Sequence, residues 1–368
     1  MKFYNCDIYK FKKLILDKKL VCFGAGQGLR NFIDCYFDEH IENHIDCIAD
    51  NNYENMGKEI SIANIKIPII GVSQLLKMKD IMLLISCKDI CGVYEQLNGY
   101  SELEDVWCFA TRFLRSETNY KEEKQRYYPD NYRIETEQRI PKKIHYCWFG
   151  GKEIPRQNKI WMESWKKYCP DYEIIRWDEH NYDIKKNQYM YEAYQAEKWG
   201  FVPDYARLDI VYHEGGIYLD TDVELLKGLD DLLYQQSFAG VDGSRNISLG
   251  LGFGAQKGTS MIKELRDLYI YKSFKKKNGS YNLVAAPTLQ KEYFLGKGYV
   301  NNGEYQIIDG MTVYPEKVLS AKCSLTGRIL PNEHSVAVHH YDGSWSQQSE
   351  RMQNKKNNEF LQNVVVNI

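Results

Sequence analysis

Two carboxylates spaced two residues apart, Asp220 and Asp222, follow the short apolar run Ile217-Tyr218-Leu219. In an extended segment residues i and i+2 face the same side, so both acids can address one point. Carboxylates held that close repel unless a cation accompanies them. A hard divalent ion such as Mg²⁺ or Mn²⁺ supplies that charge and normally completes its shell with substrate phosphates. Upstream, Asp204 and Arg207 lie three apart in a stretch of helical character and so share a face. Such a pair can hold sugar hydroxyls or phosphate, or it can be an intrahelical surface ion pair. Spacing alone leaves both readings open, just as an isolated Asp-x-Asp can be a solvated turn.

The flanking elements fix where these groups point. Pro203 suits the first turn of a helix running to about His213, because its missing N–H would be unpaired there anyway. Gly215-Gly216 stop that helix. Residues 217–219 then read as a buried strand that delivers Asp220 and Asp222 at its C-terminal end, the side on which open α/β sheets bind ligands. A strand over 143–149 runs into Gly150-Gly151, and a helix over 157–168 carries Ile160, Trp161 and Trp165 on one face. A strand over 173–177, a helix over 188–198 and a strand over 238–241 follow. The last of these leads to Asp242 and Asn246, which could reach an acceptor or form an ordinary turn.

A chain of 368 residues accommodates two domains. Lys+Arg (48) nearly balances Asp+Glu (50), so no overall field attracts a nucleic acid. No run approaches the ~20 apolar residues of a spanning helix, and the Lys-rich N-terminus has no apolar core of signal-peptide length. Retention in the cytosol is expected, and the ten cysteines, with no CxxC pair, read as reduced thiols. The 29 tyrosines suit sugar-stacking surfaces or reflect a compositional habit. Residues 1–115 alternate short apolar strands with helical stretches, the pattern of a small Rossmann-like, doubly wound parallel sheet. Residues 116–139 read as a charged linker, helical in part, with 11 Asp, Glu, Lys or Arg. Residues 140–368 form the second domain. In the first, Gly24, Gly26 and Gly28, with Asp50 closing the next strand, approach a dinucleotide fingerprint, but the third glycine's place holds Leu29.

Three blocks, in order, resemble glycosyltransferase family 32, the sugar-binding region containing the DXD motif. They are Ile140-Pro141-Lys142-Lys143-Ile144-His145-Tyr146-Cys147-Trp148-Phe149-Gly150, then Pro203-Asp204-Tyr205-Ala206-Arg207-Leu208 with Gly215 through Asp222, then His339-His340-Tyr341-Asp342-Gly343-Ser344-Trp345. The resemblance covers about residues 140–348. It implies a GT-A fold, a UDP-sugar donor, Mn²⁺ or Mg²⁺, retention of anomeric configuration and no redox cofactor. By the same resemblance Asp220 and Asp222 hold the metal, joined by His340 of a His-Tyr-x-Gly segment. Asp204 and Arg207 grip the donor sugar. Trp148, Phe149, Gly150 and Tyr218 line the nucleotide site, and Ser344 and Trp345 close over the diphosphate. The acceptor expected is a glycan, lipid-linked in capsular or other surface polysaccharide synthesis, and peripheral contact of a basic stretch with the inner face of the membrane would suit it.

Other readings are weaker. A toxin-like relative would modify a protein. An NAD-dependent sugar-nucleotide enzyme would need a Tyr-x-x-x-Lys pair, and Tyr120 and Lys124 sit in the charged linker without an apolar face to anchor them. A nuclease would need more acidic ligands, and a non-catalytic carbohydrate-binding protein would hydrolyse no donor. Basic stretches at residues 10–19 and Lys275-Lys276-Lys277 suit either anionic lipid or plain solvation.

Overall fold

A computed structural model describes residues 1–342 and 348–368. The chain divides into two compact units. One is built from Met1–Gln125, Leu325–Gly327 and Gln348–Ile368, the other from Arg126–Ser324 and the described residues of 328–342.

The first unit holds an eight-stranded sheet. From edge to edge its strands are Val366–Asn367, Lys2–Asn5, Trp107–Ala110, Ile81–Ile85, Lys19–Phe23, Ile45–Ala49, Ile65–Ile70 and Glu59–Ile62. All neighbours are parallel except the last pair, a hairpin. Ile81–Ile85 is buried at every position, as a central parallel strand covered on both faces must be. Two apolar clusters fill the two faces, one around Phe11, Leu29 and Phe32, the other around Phe23, Leu83 and Phe113.

The polar stretch after residue 115 begins inside a helix, Thr111–Glu123. Composition understates its burial because small polar side chains carry the contact. Thr118 accepts a hydrogen bond from the Ile8 backbone N–H and donates to the Leu114 carbonyl, each at 2.7 Å. The C-terminal helix Gln348–Asn363 also counts with this unit, through Phe360 against Phe3 and Tyr94 and Asn357 donating to the Lys88 carbonyl.

In the second unit a seven-stranded sheet runs Gln306–Ile308, Met311–Tyr314, Ser237–Val241, Ile247–Ala255, Gly216–Tyr218, Lys143–Cys147, Glu173–Trp177. Gly216–Tyr218, Lys143–Cys147 and Glu173–Trp177 are mutually parallel, whereas Ile247–Ala255 runs against both its neighbours. A separate two-stranded ribbon pairs Val223–Leu225 with Ala337–His339, antiparallel. The helix Pro203–Glu214 is buried from Pro203 through Val211, so it is a central element without a solvent face. No helix among the described residues is long and apolar enough to cross a membrane.

Candidate active site

The path to the acidic pair starts at the end of the Pro203–Glu214 helix. Gly215 and Gly216 both adopt positive φ (66° and 104°), and a Cβ on Gly216 would lie 2.9 Å from the His145 ring and from the Lys143 carbonyl. His145 is fully buried and fixes this turn. Its Nδ1 accepts from the Trp177 indole at 3.1 Å, which leaves Nε2 to donate to the Gly215 carbonyl at 2.8 Å. Burial lowers its pKa and keeps the ring neutral. The chain then enters Gly216–Tyr218, next to Lys143–Cys147, and leaves it at Asp220. Asn158 bonds the Thr221 hydroxyl, and the Trp165 indole bonds the Val223 carbonyl, so the Arg156–Tyr168 helix clamps the segment that carries both acids.

Asp204 and Arg207, three residues apart, form a buried pair at 3.1 Å, not a surface one. The Arg207 guanidinium also bonds the Pro203 carbonyl, lies 5.1 Å from the centre of the Tyr218 ring and comes within 3.7 Å of Asp220. Burial pushes the Asp204 carboxyl up to about 7 against the pull of Arg207. Asp220 responds in the other direction. Burial raises it, but Arg207, His339 and the Tyr218 hydroxyl together hold it below the ordinary carboxylate range.

The imidazole beside the acids is His339. Its Nε2 is 3.4 Å from Asp222 and 4.0 Å from Asp220, and ligand atoms of all three residues lie within 4.8 Å of one another. His340, expected there, faces elsewhere: its Nε2 is 2.8 Å from Glu224 and its ring stacks on Trp161 at 4.0 Å. Alternation puts the two rings on opposite faces: with Val223 opposite His339 and Glu224 opposite Val338, His340 falls on the face of Glu224. Asp222 stands in the turn before Val223, outside the strand, and its carboxylate reaches the His339 ring. The backbone of residue 340 still contributes, its N–H donating to the Asp222 carbonyl, while the Asp342 N–H donates to the Asp222 carboxylate at 2.9 Å.

Two carboxylates and one imidazole, converging on a point with Asp220 still 28 % exposed, fit a divalent cation. The mixed donor set suits Mn²⁺ better than the all-oxygen octahedron that Mg²⁺ demands.

The remaining expected positions are more varied. Trp148 donates its indole N–H to the Lys152 carbonyl at the strand exit. Phe149 is packed into the core against Tyr182, so its ring is not free to stack on a base. Gly150 donates its N–H to Glu179 at 2.6 Å, and a Cβ there would sit 2.8 Å from the Trp199 ring. Ser344 and Trp345 lie outside the described residues. Asp242 closes its own turn, accepting from the N–H groups of Ser244 and Asn246.

In the first unit Asp50 accepts from the Ala25 N–H at 2.8 Å and ties the glycine loop to the adjacent strand. Gly24 adopts a φ of 104°, and Gly26 caps the helix Gln27–Cys35. A Cβ on Gly28 would meet the Ser86 carbonyl at 2.0 Å, so that glycine serves helix-to-strand packing.

Gly250 carries no motif, and sequence reading passed over it. It lies on Ile247–Ala255, and a Cβ there would lie 2.7 Å from the Asp220 carboxylate and 3.1 Å from Arg207. Gly250→Ala is therefore expected to displace Asp220 and weaken Mn²⁺ binding about tenfold by calorimetry. Unchanged affinity would show that the site yields at no cost.

Residues 155–239, which contain both the Asp204–Arg207 pair and Asp220 with Asp222, match the family model described as "Glycosyltransferase sugar-binding region containing DXD motif". The chain is 31% identical over 137 residues to "Inositol phosphoceramide mannosyltransferase 3" of Schizosaccharomyces pombe, covering 35% of this chain and 37% of that protein. It is 28% identical over 141 residues to "Mannosyl phosphorylinositol ceramide synthase SUR1" of Saccharomyces cerevisiae, covering 37% of each. The chain thus spans little more than a third of the length of either relative. Among solved structures, the "PaToxG Glycosyltransferase" matches 50% of this chain and 79% of its own, at 18% identity and a TM-score of 0.36. The α/β architecture, the Asp-x-Asp at a strand end and the family match agree: residues 155–239 are similar to the glycosyltransferase sugar-binding region containing the DXD motif.

Proposed function

We propose that the protein is a metal-dependent, retaining glycosyltransferase that moves a hexose from a UDP-sugar to a lipid-linked glycan or lipid acceptor. The observation that carries this reading is the convergence of Asp220, Asp222 and His339 beside the buried Asp204–Arg207 pair. The names of the two yeast relatives make mannose the first sugar to test and favour a lipid acceptor. We take the first unit as an accessory domain, and the cytoplasmic side of a membrane as the place of action.

Transfer breaks the bond between the anomeric carbon and the diphosphate oxygen, which leaves negative charge on the diphosphate. A bound divalent cation supplies charge neutralisation for that group. Asp220, Asp222 and His339 hold the cation. Arg207, charged and pre-oriented by Asp204, Asp220 and the Tyr218 ring, faces the sugar side and needs no reorganisation during reaction. Asp204 accepts from sugar hydroxyls. The acceptor hydroxyl attacks from the face the diphosphate leaves, and its proton passes to the departing phosphate oxygen.

A panel of nucleotide-sugars, assayed for hydrolysis without acceptor in Mn²⁺, tests the reading. One donor is expected to be cleaved well above the others, and chelation with EDTA is expected to abolish cleavage until Mn²⁺ is restored. Cleavage of no donor, or cleavage indifferent to EDTA, would overturn it.

A further inference from the structure

The hairpin between Tyr269 and Val284 carries a charge pattern that the rest of the chain lacks. Residues 268–291 contain Lys272, Lys275, Lys276, Lys277 and Lys291 and no Asp or Glu, whereas the remainder has 43 basic against 50 acidic residues. Among the described residues no ion pair engages Lys272, Lys275, Lys276 or Lys277.

The hairpin is built, not loose. Lys275 bridges Tyr281, the Lys276 N–H donates to the Ser280 carbonyl, and the Asn282 N–H to the Phe274 carbonyl. Phe274, fully buried, anchors it between Tyr189 and Phe201. Glu192, the acid next to it, is used on the backbone and not on the lysines: it accepts from the Ser273 hydroxyl and the Lys275 N–H.

On this fixed frame both feet present large apolar side chains to water. Tyr271 is 97% exposed, and Ile270, Leu283 and Val284 are exposed too. Four such residues within fifteen positions, next to a lysine tip, is a costly surface for a segment with no other role.

We propose that this hairpin docks on the surface of an anionic lipid bilayer, its lysines against the headgroups and Ile270, Tyr271, Leu283 and Val284 in the interfacial layer. Charge complementarity selects that occupant. A soluble polyanion would use the lysines and leave the apolar feet exposed, and a neutral apolar partner would use the feet and leave the lysines unmatched. Docking deepens the reading of a lipid acceptor, but it does not depend on sugar transfer, so the two fail separately.

The test is co-sedimentation of the full chain with vesicles of phosphatidylcholine alone and of phosphatidylcholine with phosphatidylglycerol. Wild type is expected to bind only the second kind, and more weakly as salt rises. The triple reversal K275E/K276E/K277E should weaken binding at least about a hundredfold. The pair Tyr271→Ser with Leu283→Ser should weaken it about tenfold or more while leaving heparin binding unchanged. Matched thermal unfolding midpoints would show that the variants are folded. Equal binding to both vesicle types, unchanged binding by the triple variant, or capture by heparin but not by vesicles would each overturn the proposal.

Discussion

Asp222→Ala is expected to lower donor cleavage by about three orders of magnitude or more, with the protein still folded. The carboxylate removed touches little that holds the unit together. It accepts one backbone hydrogen bond, from Asp342, and approaches the His339 ring at 3.4 Å. Losing that bond costs about 1 kcal/mol, a small fraction of the stability of a domain this size. Its loss from a cation site is different, because Asp220 and His339 would be left as the two remaining protein ligands. Calorimetry with Mn²⁺, circular dichroism and the hydrolysis assay separate the two effects. Near-normal turnover by a folded Asp222→Ala protein would remove the metal assignment. The histidines sharpen the test. His339→Ala should weaken Mn²⁺ binding by about 10–100-fold, whereas His340→Ala should leave it nearly unchanged and cost only the Glu224 contact and the Trp161 stack. The reverse order would return the ligand to the position that the resemblance had favoured.

Arg207→Met should destabilise the protein by about 3–5 kcal/mol, the cost of leaving a buried acid without its partner. Asp204 is only 4% exposed and depends on this guanidinium, and Asp220 loses the cation that keeps it ionised. Urea unfolding followed by tryptophan fluorescence measures the loss. Arg207→Lys should rescue little, since one ammonium cannot span Asp204, the Pro203 carbonyl and Asp220 together. Adding Asp204→Asn to Arg207→Met should recover part of the stability by removing the unpartnered buried acid. Should Arg207→Met unfold at the wild-type midpoint, the pair would be an incidental contact and not the frame of the site.

Much of this architecture was legible before any coordinates. The apolar run at 81–85 read as a strand because continuous burial leaves no alternation to misread. Pro203 and the Gly215-Gly216 stop bounded the helix within a residue or so, because each acts through its own backbone chemistry. The short strands Lys2–Asn5 and Val366–Asn367 were not legible: their strand character comes from partners distant in the chain.

At the site, the sequence by itself determined that two carboxylates stand at a strand end and that Asp204 and Arg207 share a helix face, since both follow from spacing along one element. Only the tertiary structure decided which histidine joins the acids. The register of Val223–Leu225 against Ala337–His339, more than a hundred residues apart, sends the two rings to opposite faces, and the turn at Thr221–Asp222, which breaks the alternation, brings the Asp222 carboxylate to His339. It likewise decided that Gly250 clears the space Asp220 occupies and that His145 pins the glycine turn. Neither duty leaves a mark on local sequence, because each is defined by an atom on another strand.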